Sequence, residues 1–373
     1  MKTTKRPPTT TFFDEEYFIY GDGAHVDPFD TDYLWEISKD SEFRSFMSQL
    51  YFTTLQIYDI FAFVCFFVNI PHLFILTRKE LRSNLVYIIM IGVCICDLIH
   101  SLGRMSAVFM TWNIVYKIEN CVEGYPYFHI VFNILAVATQ IISRRCSGLL
   151  ALFIAAFRAF SVIFPMSNAV NFLMKAKSGY LIILFFGVVC IGWGLYYCST
   201  TRIIFLERCS SGSRTTYQLF REKPNVLEEM RFRMIDGFMS VGISLTYVFV
   251  AVALVIALIQ AQKRRKNLKN DKPSNTTRLV IMMAVSLFIS ETSYGVVFIL
   301  NLLYFKDYVE QSNVVILEML ALLFVIANSC VHCVICFFMS SQYRDVVKGL
   351  LCKRKEKEEA VKGLNEDLLS END

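Results

Sequence analysis

Proline is scarce in this chain. Eight occur in 373 residues, and away from their ends the long apolar runs hold only Pro71. Helices built on those runs have little else to kink or break them. Residues 311–343 contain no lysine, which excludes a retinal Schiff base in the last apolar run. No GxGxxG, P-loop, zinc-ligand or nucleophile-elbow pattern occurs, so no enzyme site, cofactor or metal is expected. The basic run 263–278 has no interleaved aromatics, which argues against nucleic acid. No internal repeat marks a transporter, the low-ranked alternative among membrane proteins. Lys2, Lys5 and Arg6 lead into Thr, Phe and acids, so no signal peptide is expected and the first apolar run must direct its own insertion.

What the chain has in abundance is apolar length. It is 55% hydrophobic and 14% aromatic. A bilayer-spanning helix needs about 20 mostly apolar residues. Seven runs reach that, at 53–77, 84–110, 124–157, 178–201, 236–262, 278–304 and 313–339. Ser178–Thr201 and Gly237–Gln262 carry no charge. Short basic loops set orientation. Arg78, Lys79 and Arg82 follow the first run, seven Lys and Arg residues lie in 263–278, and Lys353, Arg354 and Lys355 follow the last. These belong inside, which puts the N-terminus outside; the basic loop 202–235 dissents, but long loops weigh little. The division expected is an acidic extracellular tail over 1–52, a seven-span bundle over 53–339, an amphipathic surface helix over 340–352 and a disordered cytoplasmic tail over 353–373. In the surface helix Tyr343, Val346, Val347, Leu350 and Leu351 share one face. The sequon Asn275-Thr276-Thr277 falls on the inner side and should carry no sugar.

Charges inside a membrane are costly and mark function or pairing. Asp97 and Glu291 each lie 13 residues from the inner end of their runs, and Arg144 and Arg145 lie 14 and 13 residues before Arg158. At 1.5 Å per residue all sit roughly 20 Å up. Asp97 and Glu291 are therefore expected to be neutralised by an arginine. Neighbouring helix positions differ by about 100°, so the two arginines are expected to point apart. The layer reads as a structural ion-pair network, as the polar floor of a ligand pocket, or as a sodium-type switch around Asp97. Arg104 and Glu318 lie higher and could meet a ligand entering from outside, as could His100, which more plainly reads as packing. Asn69 and Asn328 are further buried polar anchors, and Asn328-Ser329 can loosen its own helix.

Twelve cysteines are present. Cys121 and Cys209 fall in oxidising outer loops and are expected to pair, with Cys198 the rival partner. Cys330, Cys333 and Cys336 lie within a span, where packing explains them. Cys352, beside three basic residues, suits palmitoylation.

Several of these residues form a recognisable wording. Arg158 precedes Pro165 by seven positions, Asp97 and Asn328 stand in the second and seventh runs, and Ser143-Arg144-Arg145-Cys146-Ser147-Gly148 precedes Arg158. Phe164-Pro165-Met166-Ser167-Asn168, Phe288-Ile289-Ser290-Glu291, Asn328-Ser329-Cys330-Val331-His332 and Met339-Ser340-Ser341-Gln342-Tyr343-Arg344 complete it. Over about residues 50–350 the chain resembles the nematode class W serpentine receptors, a rhodopsin-like G-protein-coupled family similar to FMRFamide-type neuropeptide receptors. The resemblance implies an all-α seven-transmembrane bundle with a short eighth helix at the plasma membrane. It implies an extracellular peptide ligand, with a small chemosensory molecule as the alternative, and signalling through a heterotrimeric G protein. Arg158 and Pro165 would then serve G-protein coupling, Asn69, Asp97, Asn328 and His332 an intramembrane switch, and Arg104, Arg144, Arg145, Glu291 and Glu318 the ligand pocket. The chain departs from rhodopsin-like receptors at Phe157, where most carry an acid beside the Arg. It also lacks Trp and Pro in the sixth run and has His332 in the last motif where Tyr is usual.

Overall fold

The computed structural model describes residues 41–113, 127–164, 167–173, 175–205, 217–220, 223–265, 275–303 and 308–350. Seven long helices carry the apolar runs. They are Ser41–Leu76, Leu85–Asn113, Tyr127–Ile163, Ala176–Ser199, Lys223–Arg265, Asn275–Leu303 and Tyr308–Met339, the first to seventh spans. Among the described residues six are long and apolar enough to cross a membrane, and the sixth span contributes the shorter apolar stretch Val285–Leu300. A helix satisfies its backbone groups internally, which lipid demands. Several helices outrun the apolar runs that mark them. The first begins at Ser41, within the stretch expected as tail, and the fifth at Lys223, within the expected outer loop. Hydropathy reads only the lipid-facing length, whereas the hydrogen-bond ladder continues into polar turns.

The spans close a ring in which the first packs on the second, the second on the third, the third on the fifth, the fifth on the sixth, the sixth on the seventh and the seventh on the first. The fourth lies outside, against the second and third. The third span is therefore central. Its Leu150, Ala151, Ile154 and Ala155 are buried with Ile89, Met90 and Val93 of the second span in the main core. Around the ring stands a shell of exposed apolar side chains such as Phe249, Leu184 and Phe185, which suits hydrocarbon as the outer solvent. The molecule is an all-α membrane bundle of seven spans. One small departure is an antiparallel hairpin, Arg202–Phe205 with Tyr217–Phe220, in the loop after the fourth span, where β-branched and aromatic residues cluster.

Residues 341–350 form the expected short helix. The Ser340 hydroxyl accepts the Tyr343 N–H at 3.1 Å and caps it. Tyr343 is buried beneath, its hydroxyl 2.9 Å from His72 Nδ1 of the first span. Arg344 donates to the carbonyls of Phe337 and Phe338, closing the end of the seventh span.

The fifth and sixth spans touch backbone to backbone. A Cβ on Gly295 would lie 2.8 Å from the Gly237 carbonyl oxygen and 2.7 Å from Val241. Gly295→Val should therefore force the two helices apart, at a cost of about 1–3 kcal/mol. The expected result is a lower thermal midpoint of purified receptor; an unchanged midpoint would show that the crossing is not tight.

Candidate functional site

The third span places Arg144 and Arg145 at its midlength, both almost fully buried. They do not point apart. Arg144 Nη2 donates to Asp236 Oδ2 at 2.6 Å, and Arg145 Nε donates to Asp236 Oδ1 at 2.6 Å. Arg145 also donates to the Asp236 backbone carbonyl. The 100° between them is absorbed by two long side chains that take different oxygens of one carboxylate. Trp193 of the fourth span adds its indole N–H to Oδ1 at 3.0 Å. Ser240, one turn along from Asp236 on the same face, accepts from both arginines at 3.1 and 2.9 Å and donates to Glu291 Oε2 at 2.6 Å. Glu291 of the sixth span completes the group more loosely, with Oε2 at 3.3 Å from Arg144 and 3.5 Å from Arg145. The Arg144 guanidinium also lies 3.6 Å over the Tyr294 ring, which stacks on Phe298. Two cations and two anions thus form a neutral knot joining the third, fifth and sixth spans, with donors and acceptors matched as buried charges require.

Asp236 was not foreseen. It is the first residue of the fifth apolar run, 236–262, and reads as the edge of that span beside a basic loop. The helix actually starts at Lys223, so Asp236 lies well inside the bundle. Two signals were available: two buried arginines need two acids, and Asp236 and Ser240 share a helix face.

Asp97 is likewise corrected. Among the described residues no arginine donates to it. Ser147 and Ser329 donate to its Oδ1 at 3.2 and 3.0 Å, and His332 Nδ1 lies 3.0 Å from Oδ2. The depth reasoning nevertheless holds, because one small cavity of about 10 Å3 is bounded by Asp97, Ser147, Arg144, Glu291, Asn328 and Ser329. That volume suits roughly one water. The other polar anchors tie neighbouring spans. Asn69 donates to Cys65 and accepts from the Cys94 thiol. Asn328 accepts from Ser286 of the sixth span. His100 lies between the Tyr58 hydroxyl and the Gln140 carbonyl, as a packing residue would.

Higher up, each expected pocket charge is paired within the chain. Arg104 Nε meets Asp59 Oδ1 at 2.6 Å and lies over Tyr58. Glu318 meets Arg233 at 3.7 Å. At the opposite end Arg158 is half-buried. Among the described residues its guanidinium makes no ion pair. Phe157 is buried and stacked on Phe153, so it offers Arg158 no charge. Cys121, Cys209, Cys352 and Pro165 lie outside the described residues. Among those described, no group of three or more His, Cys, Asp or Glu residues suits a metal ion.

One protein-family model, described as serpentine type 7TM GPCR chemoreceptor Srw, matches residues 55–354. No curated protein matches the chain.

Proposed function

Because that match spans most of the chain, which thereby belongs to the Srw family of serpentine seven-transmembrane G-protein-coupled chemoreceptors, we propose that it is a plasma-membrane receptor opened by an extracellular ligand. The family is one of receptors, not enzymes, and implies G-protein coupling. In our reading the N-terminus is outside, as the basic loops require. Ligand enters among the outer ends of the helices. The packing of the third, fifth and sixth spans then shifts between two arrangements. Arg158, Pro165 and the 263–278 loop meet the G protein inside. The observation that carries this is the neutral knot, which binds together the three spans whose separation would open the inner face.

Arg104, Glu318 and the two core arginines each have a partner in the chain, so the outer pocket offers no uncompensated charge among the described residues. That supports a small chemosensory ligand without strong net charge. The peptide reading rests on the Arg233–Glu318 pair. Its side chains keep 22% and 17% of their exposure, so it could exchange partners with a charged peptide end. Cells expressing the chain with a promiscuous G protein would separate the two. Small neutral or weakly polar compounds should elicit responses, while amidated peptides should not. A response confined to peptides would overturn the small-molecule assignment.

A further inference from the structure

The buried charges of the membrane core do not balance unless a proton is added. Among the described residues three carboxylates are buried there, Asp97, Asp236 and Glu291, against two guanidiniums, Arg144 and Arg145. Both guanidiniums are committed to Asp236, Ser240 and Glu291, and neither donates to Asp97. An uncompensated carboxylate in this setting is costly. The basic group in contact with Asp97 is His332, with Nδ1 at 3.0 Å, and its Nε2 is buried without a partner.

We propose that the Asp97–His332 pair is a proton-binding site, and that His332, charged by a proton taken up at Nε2, is the resident counter-ion of Asp97. With its hydrogen on Nδ1, the ring donates to Asp97 Oδ2 across that 3.0 Å contact. Addition of one proton at Nε2 gives the imidazolium, with no other bond made or broken. The surroundings set what else could compete. The first span presents His72, engaged with Tyr343 of the surface helix, and Cys65; the second presents Cys94 and His100. Across the cavity stand Arg144 of the third span and Glu291 of the sixth, and the seventh adds Cys330. Asp97 Oδ1 already accepts two serine hydroxyls and Oδ2 faces His332, so neither oxygen is left open for a sodium ion, which is why the ligand is assigned as a proton. The pair ties the second span to the seventh, close to the point where the surface helix begins. Losing the proton would leave Asp97 unmatched and loosen that tie. The proposal depends on the membrane bundle and not on G-protein coupling, so its test needs neither ligand nor G protein.

The test is the thermal midpoint of the purified full-length chain in lipid nanodiscs, from about pH 6 to about pH 9. It is run in N-methylglucamine buffer and again with added sodium chloride at equal ionic strength. If the site holds its proton in the folded state and gives it up on unfolding, stability falls as pH rises. The expected drop is roughly 3–5 °C per pH unit at the steepest part, the same in both salts. Asp97→Asn removes the charge demand and should flatten the curve, whereas His72→Gln and His100→Gln should keep the native slope. A flat native curve overturns the proposal. So does a native slope retained in Asp97→Asn, or lost in either other histidine variant. A midpoint raised by sodium and indifferent to pH also overturns it, by making the site a sodium site. If Asp97→Asn yields no folded protein, the native slope together with the two histidine controls decides.

Discussion

Asp236→Ala is expected to remove most folded receptor from the cell surface. The substitution deletes the one carboxylate that both guanidiniums share at 2.6 Å. Two arginines would remain buried against a single Glu291 held at 3.3 and 3.5 Å. Breaking a buried pair costs about 3–5 kcal/mol, a large part of the roughly 5–15 kcal/mol that holds a folded domain together. Glu291→Gln should be milder, since its longer contacts run through Oε2 while Ser240 still bridges the arginines. Replacing both members of a pair with apolar groups is often close to neutral, so Asp236→Leu with Arg145→Met should recover part of the loss. Surface biotinylation with size-exclusion profiles measures all four proteins. If Glu291→Gln proves worse than Asp236→Ala, the knot is centred on the wrong acid.

Arg158→Ala is expected to reach the surface, bind ligand and lose activation by about ten- to a hundredfold. That range follows from losing one hydrogen bond to a charged donor, worth about 1.5–3 kcal/mol, at a tenfold change per roughly 1.4 kcal/mol. Within the described residues Arg158 has no ion pair to break, so the bundle has little reason to unfold. A guanidinium offers five donors in a planar fork, and an ammonium offers three on a flexible stem. Arg158→Lys should therefore restore only part of the response. An arginine that merely anchors the helix among lipid headgroups predicts the opposite pattern, with Lys fully tolerated and Ala lost from the surface. Stimulated second-messenger output at matched surface density distinguishes them.

The bundle was legible because membrane spans are dictated by length and hydropathy, and seven runs declared themselves. The ends of the helices were not, because polar turns such as those of Lys223–Arg265 continue a helix that hydropathy stops reading. That single effect hid Asp236. The depth of the charged layer followed from counting residues, and Asp97, Arg144 and Glu291 do border one cavity. Which acid each base takes did not follow, since it depends on rotation about helix axes and on arginine reach. His332 was singled out by its place in the Asn328-Ser329 motif, but its contact with Asp97 needed the three-dimensional pairing of the second and seventh spans. Arg104 and Glu318 were read as pocket residues from height alone. Their partners Asp59 and Arg233 lie in turns of helix that looked like span margin or loop.

The central claim is that this chain drives nucleotide exchange on a G protein through Arg158. Basal guanine-nucleotide exchange tests it most directly, with purified receptor in vesicles and a panel of heterotrimeric G proteins, native chain beside Arg158→Ala at equal receptor density. Phe157 supplies no acid to restrain Arg158, and among the described residues Arg158 makes no ion pair. The account therefore predicts exchange above the receptor-free rate for at least one G protein without ligand, falling to that rate in Arg158→Ala. Equal exchange by the two proteins, whether raised or absent with every G protein, would contradict it.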